Sequence, residues 1–374
     1  VIRPPLPSSI FAARVRPAVC GRLGRLATML ALLGSSAVAS AAEPMRPIAN
    51  MFDPLSKPAQ MISDASIIVL LICAGIFLVV TGMLVYVTLK FRSRGAADER
   101  NEPPQIYGSS RIELAWTVIP IIITVVLILV TTRTIGEIQD HKMPEGDTTH
   151  IRLIGHQWWW EIQYLKPGAK KGDWVVDFTT ANEIHVPVSS KDQRRPSEIF
   201  LESADVIHSF WVPQLNGKTD LVPNWKNRTW VEPFHTGTYF GNCAEYCGTQ
   251  HANMLLRVIV QEPADFQKWL VAQRTQPPAP ATPAAVAGKQ VFYANSCVNC
   301  HKVDGTVATG VFGPDLTHLM DRQTLGAGVA TMNEKDLRSW VADPQILKPG
   351  CLMPNMQLNE QQVDEVVAYL MTLK

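Results

Sequence analysis

Two stretches of the chain run without charge for long enough to cross a lipid bilayer. ASIIVLLICAGIFLVVTGMLVYVTL (about 65–89) and LAWTVIPIIITVVLILVTT (about 114–132) each approach the roughly 20 apolar residues that a spanning helix needs. Pro120 in the second is tolerated inside a membrane helix and can kink it. From Thr148 to Glu262 the period changes. THIRLIGHQWWWEIQY, DWVVDF, EIHVPV, SEIFLES, RTWVEPF and LLRVIV are short runs rich in β-branched and aromatic residues, broken by Gly, Pro and Asn. That pattern predicts a β-sandwich or barrel. An amphipathic patch, DFQKWLVAQ, follows, and then RTQPPAPATPAAVAG, a Pro/Ala-rich and therefore extended linker. Beyond it AAVAGKQVFYANS, EKDLRSWVAD and NEQQVDEVVAYLMTLK carry apolar residues at helical spacing. The chain thus divides into an N-terminal segment with a two-helix hairpin (42–147), an all-β unit (148–270), a linker (271–284) and a helical unit (285–374), with no internal repeat.

Charge sharpens this picture. The chain is 47% hydrophobic and 18% charged, with a formal net charge of +1. Residues 1–41 hold five arginines and no acid, so removing them takes +1 to −4. This segment reads as a secretory signal: an arginine-rich start, a modest apolar run from Ala27 to Ala39, and Ala39-Ser40-Ala41 as a small-residue cleavage motif. Met29 is an alternative start of translation, and an uncleaved anchor is the alternative reading of the apolar run. No strong basic stripe survives its removal, which excludes a nucleic-acid partner. Lys90, Arg92, Arg94, Arg100 and Arg111 lie between the two apolar stretches. By the positive-inside rule that loop is cytoplasmic. Both ends of the hairpin, and everything after Arg133, then face the outer side of a bacterial inner membrane, where unprotected thiol pairs tend to oxidise.

Two clusters carry candidate chemistry. CVNCH places Cys297, Cys300 and His301 in the attachment pattern for c-type haem, two thioethers and an adjacent axial imidazole. A zinc site would need further Cys or His, and His318 and Cys351 are what the unit offers. LKPGCLMPNM supplies a soft sixth ligand in Met353, with Met356 as the alternative, since methionine opposite histidine suits an electron-passing haem. Cys351 beside it reads as a buried thiol. The second cluster is GNCAEYCGTQHANM (241–254), with Cys243, Cys247, His251 and Met254 spaced four, four and three apart. The spacing allows one face of a helix, a disulfide or a metal site. Gly241-Asn242 and Gly248 disfavour a helix interior, and the segment lies between strand-like runs. All four side chains are ligands of the soft and intermediate kind that suit copper. One cysteine serves a mononuclear blue-copper site, so two in one loop point to thiolates bridging two metals. A further imidazole would come from His208 in ADVIHSFWVP, with His156, His185 and His235 also within the unit.

IHSFWVP followed by CAEYCGTQHANM resembles the dinuclear copper (Cu-A) domain of cytochrome c oxidase subunit II. GHQWWWE (155–161), IELAWTVIP at the head of the second apolar stretch and the hairpin itself extend the resemblance over about residues 50–262. The helical unit resembles the cytochrome c fused to the C-terminus of subunit II in one subtype. The resemblance implies a multidomain membrane protein with a transmembrane hairpin, a cupredoxin-like sandwich and an all-α cytochrome c-like domain. It implies that Cys243 and Cys247 bridge two coppers, with His208 and His251 as terminal imidazoles. Met254 is then a weak thioether ligand on one copper and the Glu245 backbone carbonyl a ligand on the other. The Glu245 carboxylate would face a magnesium shared with subunit I.

Trp158 stands where an aromatic passes electrons to the copper centre; a surface aromatic packed on its strand is the plainer alternative. Glu113 matches a carboxylate at the cytoplasmic mouth of a proton channel, against the alternative of a solvated helix N-terminus. The implied function is that of the electron-transfer subunit of a proton-translocating haem–copper oxidase. Electrons would pass from cytochrome c through a covalent haem c and Cu-A to subunit I, where oxygen is reduced to water. Subunits I and III are the implied partners, and the donor is a diffusing cytochrome c or a quinol–cytochrome c oxidoreductase. Seven Lys/Arg and nine Asp/Glu in 285–374 give a small acidic excess that suits a basic donor. Two alternatives are a nitric oxide reductase subunit with the same copper centre and a copper-delivery protein. The delivery reading leaves the haem motif and the hairpin unexplained.

Overall fold

The computed structural model describes residues 50–92, 105–139, 146–170 and 172–374. The expected signal segment, together with Arg94 and Arg100 of the basic loop, lies outside the described residues. The two apolar stretches form α1 (Lys57–Lys90) and α2 (Ser110–Gln139), of 34 and 30 residues. At 1.5 Å per residue they reach roughly 50 and 45 Å, longer than a hydrocarbon core of about 30 Å. They outrun the apolar stretches at both ends because polar first and last turns continue the helix into the interface. Their most apolar windows contain no buried residue, so the apolar surface points outward. Several hydroxyls along them bond back to the carbonyl four residues earlier: Ser66 Oγ donates to Ile62 O at 2.8 Å and Thr124 Oγ1 to Pro120 O at 2.9 Å. Lipid offers such groups no partner. The hairpin is tied to the β unit by Lys57 N donating to Glu232 O at 3.2 Å and Trp230 Nε1 to Ile138 O at 2.9 Å.

Ten strands follow: β1 (Thr149–His156), β2 (Trp159–Pro167), β3 (Trp174–Ala181), β4 (Glu183–Pro187), β5 (Ser197–Ser203), β6 (His208–Trp211), β7 (Thr219–Leu221), β8 (Asn227–Val231), β9 (Gly237–Cys243) and β10 (Leu255–Gln261). They make two five-stranded sheets in the orders β3-β2-β1-β5-β8 and β4-β10-β9-β6-β7. The β1–β5 and β10–β4 pairs are parallel and the others antiparallel. Alternation builds the core: Ile151, Leu153, Trp160 and Ile162 point inward from one sheet and meet Ile184, Phe210 and Val258 of the other. The single run THIRLIGHQWWWEIQY is two strands, because it turns at Gln157–Trp158, and His156 pairs with Trp159. Strands β6, β7 and β9 are short or glycine-bearing and give weak alternation.

Helix α3 (Pro263–Gln273) covers one end, stacking Trp269 on His185 with ring centroids 4.0 Å apart. Residues 274–282 lead to the helical unit: α4 (Pro283–Ala294), α5 (Cys297–Cys300), α6 (Glu334–Ala342), α7 (Pro344–Leu347) and α8 (Glu360–Leu370). A small ladder, β11 (Thr324–Leu325) with β12 (Ala330–Thr331), interrupts it; two-residue strands are too short to show a period in sequence. Helices α4 and α8 cross at Gly288, where a Cβ would stand 1.8 Å from Glu365 O, so only glycine permits the approach. Phe292, Leu316, Leu337, Val363 and Val367 fill the core between the helices.

The helical unit docks on the β unit through buried polar contacts. Glu183, 2% exposed, accepts from Gln323 N, Thr324 N and Thr324 Oγ1 at 2.6–3.0 Å. Leu255 N donates to Ala327 O at 3.0 Å, and Gln250 Nε2 donates to Pro349 O.

Candidate functional site

The expected copper ligands converge at one end of the sandwich. His208 opens β6 and Cys243 closes β9; the register pairs Phe210 with Cys243, which brings the two ligands side by side. Cys247 lies in the following loop, His251 begins a 3-10 turn and Met254 precedes β10. The helical-face reading of 241–254 therefore fails: Tyr239, Gly241 and Cys243 alternate inward as strand residues. The thiols are free, with sulfurs 3.8 Å apart against about 2.05 Å for a disulfide. Cys243 Sγ lies 3.9 Å from His208 Nδ1 and 3.1 Å from Glu245 O. Cys247 Sγ lies 3.8 Å from both His251 Nδ1 and Met254 Sδ. Ligand atoms that share a metal at 2.0–2.3 Å can be no more than about 4.6 Å apart. The donor set therefore fits soft metal ions without rearrangement.

Neighbouring groups orient these donors. Asp205 Oδ1 lies 2.7 Å from His208 Nε2, so that nitrogen donates and Nδ1 keeps its lone pair toward the sulfurs. Burial opposes charge on His208, but the hydrogen bonds to Asp205 and Cys243 outweigh it and raise its pKa. Glycine is required at 155, since a Cβ there would sit 2.6 Å from the His208 ring. The hydrogen bond shared with Cys247 is the main cause that holds the Cys243 thiol well below its ordinary range. The same bond, with burial, pushes Cys247 up.

The haem-type residues surround a cavity of about 330 Å³, within the usual range for ligand pockets. Cys297, Cys300 and His301 line it with Met353 and Met356 facing in. His301 Nδ1 donates to Pro314 O at 2.8 Å, leaving Nε2 free for a metal, and burial lowers its pKa, so the ring is neutral. Arg322 also lines the cavity; its Nε is buried without a partner. An anionic substituent of a bound group would satisfy it, and haem carries two propionates. The residues present therefore fit haem.

Trp158 stands between the two sites. It lines the cavity, while its indole Nε1 donates to Cys247 O at 3.0 Å and Gln157 Nε2 donates to the same carbonyl at 2.7 Å. Glu245 lies exposed at the tip of the copper loop beside Tyr246, 76% exposed. Glu113 lies apart, exposed in the first turn of α2. Sequence reasoning missed Asp205, Gln157 and Lys348. Asp205, three residues before His208, carried the only local signal.

Three family descriptions cover most of the chain: cytochrome c oxidase subunit II transmembrane domain at 49–133, its periplasmic domain at 149–262, and cytochrome c at 285–374. A cytochrome c oxidase subunit 2 of Alkalihalophilus pseudofirmus is 36% identical over 327 residues, 86% of this chain and 90% of the relative. One from Bacillus sp. is 32% identical over 301 residues, 76% of this chain and 80% of the relative. The crystal structure of the periplasmic domain of subunit II of cytochrome oxidase of Bradyrhizobium japonicum is 28% identical, with a TM-score of 0.30, covering 36% of this chain and 97% of that one. From its membrane hairpin to its last helix, the chain belongs to the cytochrome c oxidase subunit II family, in the form with a cytochrome c domain at its C-terminal end.

Proposed function

We propose that this chain is the electron-transfer subunit of a proton-translocating haem–copper oxidase. Cys297, Cys300 and His301, with Met353, would hold a haem c, and His208, Cys243, Glu245, Cys247, His251 and Met254 would hold a dinuclear copper centre; the two groups would supply one-electron transfer toward the oxygen-reducing subunit. The observation that carries this reading is the sulfur pair, two free thiols 3.8 Å apart with a separate donor group on each side. His208 and Glu245 O serve Cys243, and His251 and Met254 serve Cys247. Such groups would supply single-electron exchange, and the Cys243 and Cys247 thiolates, shared by two coppers, would spread the charge so that little reorganises. The chain's own residues supply rigidity. Strand register fixes His208 against Cys243, and Asp205 sets the imidazole tautomer. Burial keeps His301 neutral, and Pro314 O orients it. Trp158 links the haem cavity to the Cys247 carbonyl.

The basic loop supports a topology with both soluble units on the outer face of the inner membrane. There the exposed Glu245 carboxylate is available to a magnesium shared with subunit I, and Glu113 at the other face to a proton path. Subunits I and III complete the enzyme, and a cytochrome c or a quinol–cytochrome c oxidoreductase feeds it.

Spectroscopy of the purified oxidase tests the assignment. The expected result is a c-type haem band together with a paramagnetic signal from one electron shared by two copper nuclei. Cys247→Ser abolishes the shared signal and leaves the haem band. A single-copper signal in the unaltered protein would overturn the dinuclear centre.

A further inference from the structure

Lys348, just ahead of the Met353 loop, is 3% exposed, an unusual place for an ammonium. Its Nζ donates to the Trp158 carbonyl at 2.7 Å and to the Gly326 carbonyl at 2.8 Å. The first acceptor belongs to the β1–β2 turn of the copper-bearing unit. The second lies between β11 and β12 of the helical unit, on the cavity wall. One side chain therefore fastens the two walls together. Burial drives its pKa down to about 7, with Cys351 and Cys247 the groups that favour its charge. A buried lysine without a carboxylate partner is unfavourable where a methionine or leucine could pack. Its use lies in the N–H groups. Trp158 continues the line, because its indole donates to the carbonyl of Cys247 at 3.0 Å.

We propose that Lys348 is a positioning residue for internal electron transfer, clamping the Trp158 backbone so that its indole stays fixed between the haem cavity and the copper-ligand loop. This rests on the reading that Trp158 carries electrons toward copper. A residue that merely stabilised docking would change the unfolding temperature without changing the rate of the internal step. A clamp changes the rate, and does so only through Trp158.

The test uses the intact oxidase with its full-length chain. An electron is photo-injected into haem c, and its decay is followed with the rise of reduced copper. Haem midpoint, haem content and the copper signal are measured in parallel, so that a change in driving force is separated from a change in coupling. Lys348→Met is expected to slow the transfer at least tenfold with both cofactors retained. Lys348→Ala, which leaves room for water at both carbonyls, serves if the first variant loses haem, and slows it likewise. Trp158→Phe keeps the backbone carbonyl and removes the indole N–H; it is expected to slow transfer alone. Adding either lysine variant to it should slow transfer less than twofold further, because residues acting as a unit are not additive. An unchanged rate in Trp158→Phe defeats the electron route itself. A slow Trp158→Phe beside a normal rate in the lysine variants overturns the clamp, and so do fully multiplicative effects. Loss of haem from both lysine variants makes Lys348 a folding residue and also overturns it.

Discussion

The copper pocket and the haem cavity are built on different plans. Every donor of the copper pocket comes from one β-scaffold, where strand pairing and a backbone bond from Cys243 N to Met254 O at 3.0 Å fix the loop. The haem cavity draws its ligands from one unit and part of its wall from another: His156, Gln157, Trp158, Trp159 and Asp205 face the cavity from the sandwich. The first plan resists reorganisation, which suits a centre that must change charge with little motion. The second gives up self-sufficiency for contact, since the cavity borders on Gln157 and Trp158, which hydrogen-bond the Cys247 carbonyl. The chemistry of each centre is set locally, and the communication between them is set by the interface.

The comparison is broken most severely by removing one plan entirely. Cys300→Ala is expected to abolish one thioether and cut donor-driven turnover more than tenfold. The copper signal should survive, because its donors do not depend on the haem unit. The α-band of the alkaline pyridine haemochrome, which shifts when one vinyl group is left unsaturated, and a paramagnetic spectrum of the same sample check both halves; a vanished copper signal would mean the pockets are not separable. Acid should divide the units next. Burial pulls His185 in the sandwich from its ordinary 6.5 to about 4. The unfolded chain thus binds a proton that the folded sandwich refuses. This contribution is full above pH 6.5, shrinks as pH falls and is lost below 4, a change of roughly 3 kcal/mol. Denaturant midpoints followed by tryptophan fluorescence should fall over that window, and His185→Phe should flatten the fall; an equal slope in the variant would refute the cause. The smallest expected effect sharpens the contrast at a single bond. Asp205→Asn weakens the orientation of His208 and should lower copper affinity about 10–100-fold in chelator competition, while the haem band stays unchanged.

How much of this was legible in sequence follows from how far each contact reaches along the chain. CVNCH is five consecutive residues, and α1 and α2 are uninterrupted apolar runs, so both were readable directly. The copper loop was half readable. Its ligand types were evident, but β9 carries Gly241 and Cys243 where a strand usually shows large apolar residues, and a helical spacing competed. His208, 35 residues away, joined the site by resemblance and by chemistry, not by pattern. The contacts that connect the sites left no trace. Lys348 and Trp158 are 190 positions apart, and Asp205 and Gln157 are 48 apart. Period and propensity report on neighbours, whereas the first pair exists only once the two units have docked and the second only once the sandwich has brought two of its turns together.

The stretch between α3 and α4, residues 274–282, has a kinetic consequence. A tether this short holds two surfaces together at an effective concentration on the order of millimolar. The contacts made by Glu183 and Lys348 then act on an equilibrium that has no partner to lose by dilution. Electron passage between the two units is a first-order event belonging to each molecule, with the same rate in a dilute detergent solution as in a crowded membrane. Ionic strength, which weakens encounters between separate charged proteins, bears on the meeting with the outside donor and leaves the internal step alone. A salt titration of steady-state turnover therefore reads the donor encounter by itself.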